Sequence, residues 1–150
     1  MKITMRSNIF ETNSSSVHTL VYRNQTLAKP ELPINPETNK VIGHFGRFGK
    51  DDMYYDSQED KLAYLLTCLY YNCGWSVGNI YDNWVFHDLE IVVDKHCGTN
   101  GIEIDYSIDP EIDHQSHPEN SWSCALFEMT RGNMENFIFN PDVMLHTDCD

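Results

Sequence analysis

Basic residues are scarce in this 150-residue chain: 10 Lys and Arg stand against 23 Asp and Glu, a formal net charge of −13. That scarcity excludes the ordinary nucleic-acid binder, which gains affinity by replacing counterions with clustered Lys and Arg. Direct contact with DNA, RNA or an anionic membrane is not expected. Long apolar runs are also missing, and none approaches the roughly 20 residues that cross a bilayer. The opening Met1-Lys2-Ile3-Thr4-Met5-Arg6 carries charge with no apolar stretch behind it. No secretory signal is read there, and the cytoplasm is the expected compartment. The 5 Cys show no paired spacing, so free thiols are expected and not a disulfide framework. Absent too are the Walker phosphate loop, the dinucleotide-binding glycine fingerprint, His-Glu-x-x-His and Gly-x-Ser-x-Gly. No cofactor is therefore assigned.

What is present is enough for a folded core, with 41% hydrophobic and 12% aromatic residues. Ile3, Met5 and then Val17, Leu20, Val21 and Tyr22 read as strand, polar turn, strand. Residues 24–40 hold Pro30, Pro33 and Pro36 and read as a long surface connection. A third strand is expected over Val41 to Phe48. The clearest element is a helix opened by Asp56 or Ser57, with Leu62, Leu65, Leu66 and Leu69 at three- and four-residue spacing and a left-handed exit at Gly74. A second helix is expected from Ile80 to near Gly98. Ile102, Ile104, Tyr106 and Ile108 alternate with polar residues, the period-two pattern of a half-buried strand ended by Pro110. A third helix is expected from Trp122 to Gly132 or Asn136. Phe137-Ile138-Phe139 and Val143-Met144-Leu145 then flank Asn140-Pro141-Asp142 as a closing hairpin. The whole reads as one α+β domain over 1–150, a mainly antiparallel sheet with about three helices on one face.

Two polar stretches could carry chemistry. In Phe10-Glu11-Thr12-Asn13-Ser14-Ser15-Ser16-Val17-His18, the backbone N–H groups and hydroxyls can cradle a phosphate or carboxylate and His18 can transfer a proton. A polar turn whose side chains bond the local backbone is the competing reading. In Ile112-Asp113-His114-Gln115-Ser116-His117, Asp113 can orient an imidazole, His114 can move a proton, and Gln115 and Ser116 can hold a polar ligand. If the two stretches converge, His18, Asp113 and His114 form the catalytic part of a site whose ligand contacts are Asn13, Ser14, Ser15, Ser16, Gln115 and Ser116. Zinc is a third reading, from His114, His117, Cys124, His146 and Cys149. That set is unusual for structural zinc, and no metal site is assigned.

The opening Arg6-x-x-x-Phe10-Glu11-Thr12-Asn13-Ser14-Ser15-Ser16-x-His18, with Ile112-Asp113-His114-Gln115-Ser116, Phe137-Ile138-Phe139-Asn140 and Thr147-Asp148-x-Asp150, resembles a group of small phage and prophage proteins of low-GC Gram-positive bacteria. The chain departs from the group's usual Asn-Asp ending by Cys149-Asp150. The resemblance brings no activity with it. It implies a mobile-element origin and hence a host cytoplasm as the working compartment. With the charge of −13, it points to a counter-defence or host-takeover protein that acts by binding. Its acidic surface would dock onto a basic host protein, such as the nucleic-acid-holding protein of a CRISPR-type defence. The rival is a protein that binds or hydrolyses a nucleotide or another phosphorylated small molecule through residues 10–18 and 111–117. A virion component is the third class.

Overall fold

Helix formation follows the capping residues. The Ser57 hydroxyl accepts the Asp60 N–H at 3.1 Å and opens α1 (Gln58–Asn72), whose first turn carries Glu59 and Asp60 against the positive end of the helix dipole. Its leucine stripe, Leu62, Leu65, Leu66 and Leu69, is buried as the spacing predicts. This is a computed structural model, and it describes residues 3–6, 16–22, 27–49, 53–112 and 130–149.

The expected second helix is two: α2 (Val77–Tyr81) and α3 (Trp84–Cys97). Between them the Asn83 side chain accepts the Val85 N–H at 2.8 Å and restarts the helix. Gly98, at φ 67°, ends it with the left-handed geometry that glycine adopts without strain. The last described helix, α4 (Arg131–Phe139), is capped by the Thr130 hydroxyl, which accepts the Asn133 N–H at 3.2 Å. That overturns the closing hairpin. Phe137-Ile138-Phe139 is the buried end of a helix, and Asn140-Pro141-Asp142 turns it into a strand. The expected third helix over 122–132 lies largely outside the described residues.

The strands are β1 (Ile3–Arg6), β2 (Ser16–Tyr22), β3 (Ile34–Asn35), β4 (Lys40–His44), β5 (Arg47–Phe48), β6 (Met53–Tyr55), β7 (Ile102–Asp105), β8 (Glu111–Ile112) and β9 (Met144–Cys149). They form an antiparallel sheet ordered β1-β2-β9-β6, a sheet ordered β3-β4-β7 and a pair β5-β8. The expected third strand is thus split into β4 and β5. Both β4–β7 and β5–β8 are parallel, a pairing that needs a crossover. Here α1, α2 and α3 supply it. The protein is α+β as expected, its four-stranded antiparallel sheet accompanied by two parallel pairs.

One buried cluster joins these layers. It includes Val41, Phe45 and Phe48 from the β4–β5 ribbon, the α1 leucines, Phe86, Leu89 and Val93 of α3, and Phe137 and Phe139 of α4. Ion pairs close the α3–α4 seam: Arg131 Nε lies 2.8 Å from Asp88 and Lys95 Nζ 3.6 Å from Glu135, while the buried His96 Nε2 lies 3.1 Å from Glu135 without a hydrogen bond to it. The His96 ring stacks on Phe139 with centroids 4.3 Å apart. Among the described residues no helix is long and apolar enough to cross a membrane.

The turn from α3 into β7 is set by two carboxylates. Asp94 accepts the Thr99 hydroxyl and the Gly101 N–H, both at 2.7 Å, and Glu90 accepts the Ile102 N–H at 3.1 Å. Gly101 has φ 122°, and a Cβ there would stand 2.6 Å from the Glu90 carboxylate. Gly101→Ala is expected to cost about 2 kcal/mol, from backbone strain and displacement of Glu90. Urea unfolding checks this, and an unchanged midpoint would contradict it.

Candidate docking surface

Two residues proposed for chemistry are described, at the level of the backbone. Ser16 opens β2 opposite Cys149, and His18 pairs with Thr147 of β9. Asn13, Ser14, Ser15, Asp113, His114, Gln115 and Ser116 lie outside the described residues, as do His117 and Cys124. Of the histidines weighed for zinc, His146 lies flat on the Tyr54 ring, with centroids 4.2 Å apart at 4°. Among the described residues no three His, Cys, Asp or Glu side chains gather as metal ligands would. Cys68, Cys73 and Cys97 are free thiols, and burial raises the pKa of each.

The described surface offers a different feature, at the end of β7. His44 pairs with Asp105 and Arg47 with Glu111. Residues 45–46 therefore join β4 to β5, whereas residues 106–110 join β7 to β8. Those extra residues have no counterpart in the partner strand and are extruded, as in a bulge, where pairing stops and side chains are re-aimed. All of Asp105, Tyr106, Ser107, Ile108 and Asp109 are exposed, with Tyr106 at 56% and Ile108 at 40%. The expected strand thus stops at Asp105, and its last two apolar residues face water instead of the core.

The excursion is fastened rather than loose. Asp105 accepts the Ser107 N–H at 2.9 Å, a local turn bond. At its start, the Tyr81 hydroxyl accepts the Ile104 N–H at 3.2 Å. Desolvation and the neighbouring Tyr81 hydroxyl raise the Tyr106 pKa, although its ring stays exposed. At its end, the Tyr71 hydroxyl accepts the Ile112 N–H at 3.4 Å. Tyr71 also meets Trp75 edge to face, with centroids 5.7 Å apart. Trp75 is 53% exposed, on a backbone at φ 62°. With Glu90 on Ile102, these hydroxyls satisfy the outward N–H groups of β7 and β8, so these edges are closed to strand addition.

An exposed aromatic ridge therefore runs beside Asp82, Asp105 and Asp109, which are all exposed. Cations are sparse along this part of the chain: between Lys61 and Arg131 the sequence has one basic residue, Lys95, which is paired with Glu135, and across from β8 Arg47 lies 3.8 Å from Glu111. The alternation of Ile102, Ile104, Tyr106 and Ile108 predicts that Tyr106 and Ile108 lie on the buried face of a strand. The usable signal was this long interval almost free of Lys and Arg, broken by turn residues around two apolar side chains. Compared with protein families, curated proteins and solved structures, the chain matches none.

Proposed function

We propose that this protein works by binding, as a phage- or prophage-type counter-defence or host-takeover protein whose acidic surface docks onto a basic host protein. The observation that carries the reading is the excess of exposed carboxylates over exposed cations on the described surface, where Lys29 and Lys40 stand exposed and the other basic side chains described are paired or buried. Arg47 lies 3.8 Å from Glu111, while Lys95 and Arg131 are held by Glu135 and Asp88. Lys61 is fully buried. Exposed carboxylates at Glu31, Glu37, Asp56, Glu59, Asp82, Asp105 and Asp109 remain. Such a field steers a basic partner into contact and opposes direct approach to a polyanion.

Capture from lysate of a Gram-positive host with the tagged protein, at about 50 mM and about 500 mM salt, tests the reading. The long-range part of such an association is screened as the Debye length shrinks to a few ångströms. A basic protein retained at low salt and released at high salt is the expected result. Retention indifferent to salt, or capture of nucleic acid instead, would refute it.

A further inference from the structure

We propose that the ridge formed by Tyr81, Tyr106 and Ile108, flanked by Asp82, Asp105 and Asp109, is an arginine-reading dock for a basic segment of a partner protein. This rests on the binding reading above and gives it a place and a chemistry. A guanidinium is planar and weakly hydrated, stacks on aromatic faces, and pairs side-on with a carboxylate; an ammonium does only part of this. The extruded residues offer both elements within one short span, the Tyr106 ring between Asp105 and Asp109, with Ile108 to cover an arginine stem. The Tyr81 hydroxyl holds the Ile104 N–H at the root of the excursion and Asp105 holds the Ser107 N–H, so the backbone that carries Tyr106 is ordered before a partner arrives, which lowers the ordering cost of binding. Charge complementarity selects the occupant, since Arg47 beside Glu111 and Lys95 beside Glu135 already face carboxylates of their own while Asp82, Asp105 and Asp109 stand exposed. Apolar partners would leave three carboxylates facing nothing. Nucleic acid would be repelled by them.

The probes are acetylated octa-arginine and octa-lysine peptides, titrated at about 50 mM salt with backbone amide NMR as the readout. Octa-arginine is expected to bind about fivefold more tightly than octa-lysine, as stacking on an exposed aromatic permits. Its shifts should centre on residues 81–82 and 104–109. Tyr106→Ala, and separately Asp105→Asn with Asp109→Asn, should each weaken octa-arginine about fivefold or more. Asn at position 105 keeps the oxygen that accepts the Ser107 N–H, so the loop is retained. Glu31→Gln with Glu37→Gln removes the same two charges away from the ridge in sequence and should weaken octa-arginine by less than about twofold, as the long-range field alone allows. Equal binding of the two peptides, or indifference to the ridge variants, would overturn the dock while leaving an acidic binder of another footprint standing. No salt-sensitive binding of either peptide would overturn the dock and count against the binding function as well.

Discussion

Replacing Lys61 by alanine is expected to lower the unfolding free energy by about 4 kcal/mol, since it removes buried volume and a buried donor together. Lys61 sits on α1 with no exposed surface. Its ammonium donates to the Asn140 carbonyl at 3.0 Å and the Val143 carbonyl at 3.2 Å. These are the two ends of the turn joining α4 to β9, a turn that also holds itself by the Val143 N–H on the Asn140 carbonyl at 3.1 Å and the Asp142 N–H on the Asn140 side chain at 2.9 Å. One side chain thus binds the first helix to the segment that sends β9 back into the sheet. Lys61→Met keeps most of the volume and loses the donor, so a smaller loss of about 2 kcal/mol is expected at neutral pH. Urea unfolding of both variants measures it. A melting curve unchanged in Lys61→Ala would mean that the tie contributes nothing.

The same residue leaves a signature in pH. Burial lowers the Lys61 pKa to about 8, against 10.5 for the free side chain, with Asp56 partly opposing the change. Between those values the unfolded chain holds a proton that the folded one has released, so this group makes stability rise with pH. Below about pH 8 both states are protonated, and the cost of burying the charge is fully felt. The buried thiols run the other way. Cys68 stays protonated in the fold well above its ordinary value of 9.0, and Cys97 to about 11, so they remove stability as pH climbs past 9. Subtracting the Lys61→Met curve cancels the thiols. The difference should grow from about pH 8 upward by roughly 2 kcal/mol, rising by about 1.4 kcal/mol per pH unit at most and by less where solvent screens the charge. A flat difference would show that the ammonium is not desolvated.

What the sequence makes legible follows the range of the forces involved. Ser57, the α1 leucines, Gly74 and Gly98 were legible because caps and helical spacing act within a few residues. Phe137-Ile138-Phe139 misled because a short, fully buried apolar run looks the same as strand or helix. The deciding feature is Thr130, whose cap starts a helix nine residues long that carries all three inward. The β4–β7 and β5–β8 pairs were out of reach, since each joins strands separated by three helices. The exposure of Tyr106 and Ile108 depends on those pairs. Alternation alone predicts that both continue the buried face of Ile102 and Ile104; the offset between the two parallel registers expels them. Neither candidate polar stretch announced this, because the ridge contains no catalytic motif. It is built from aromatics placed by non-local pairing and from carboxylates that are uninformative one at a time.

Deleting residues 106–108 is expected to abolish octa-arginine binding, with a loss of tenfold or more, while stability changes by about 1 kcal/mol or less. The deletion leaves Asp109 and Pro110 between Asp105 and Glu111, matching the length of residues 45–46 in the partner ribbon. Both parallel pairs can then form in their present register. A shorter loop costs less closure entropy, by a few tenths of a kcal/mol, and this offsets the lost exposed turn bond from the Ser107 N–H to Asp105. Tyr81 keeps the Ile104 N–H and so still closes the β7 edge. A deleted form that unfolds would show that the excursion is structural, and one that still binds octa-arginine with full affinity would place the dock elsewhere. A folded variant, with its melting temperature within a few degrees of the parent and its arginine preference gone, separates the ridge's function from the fold that carries it.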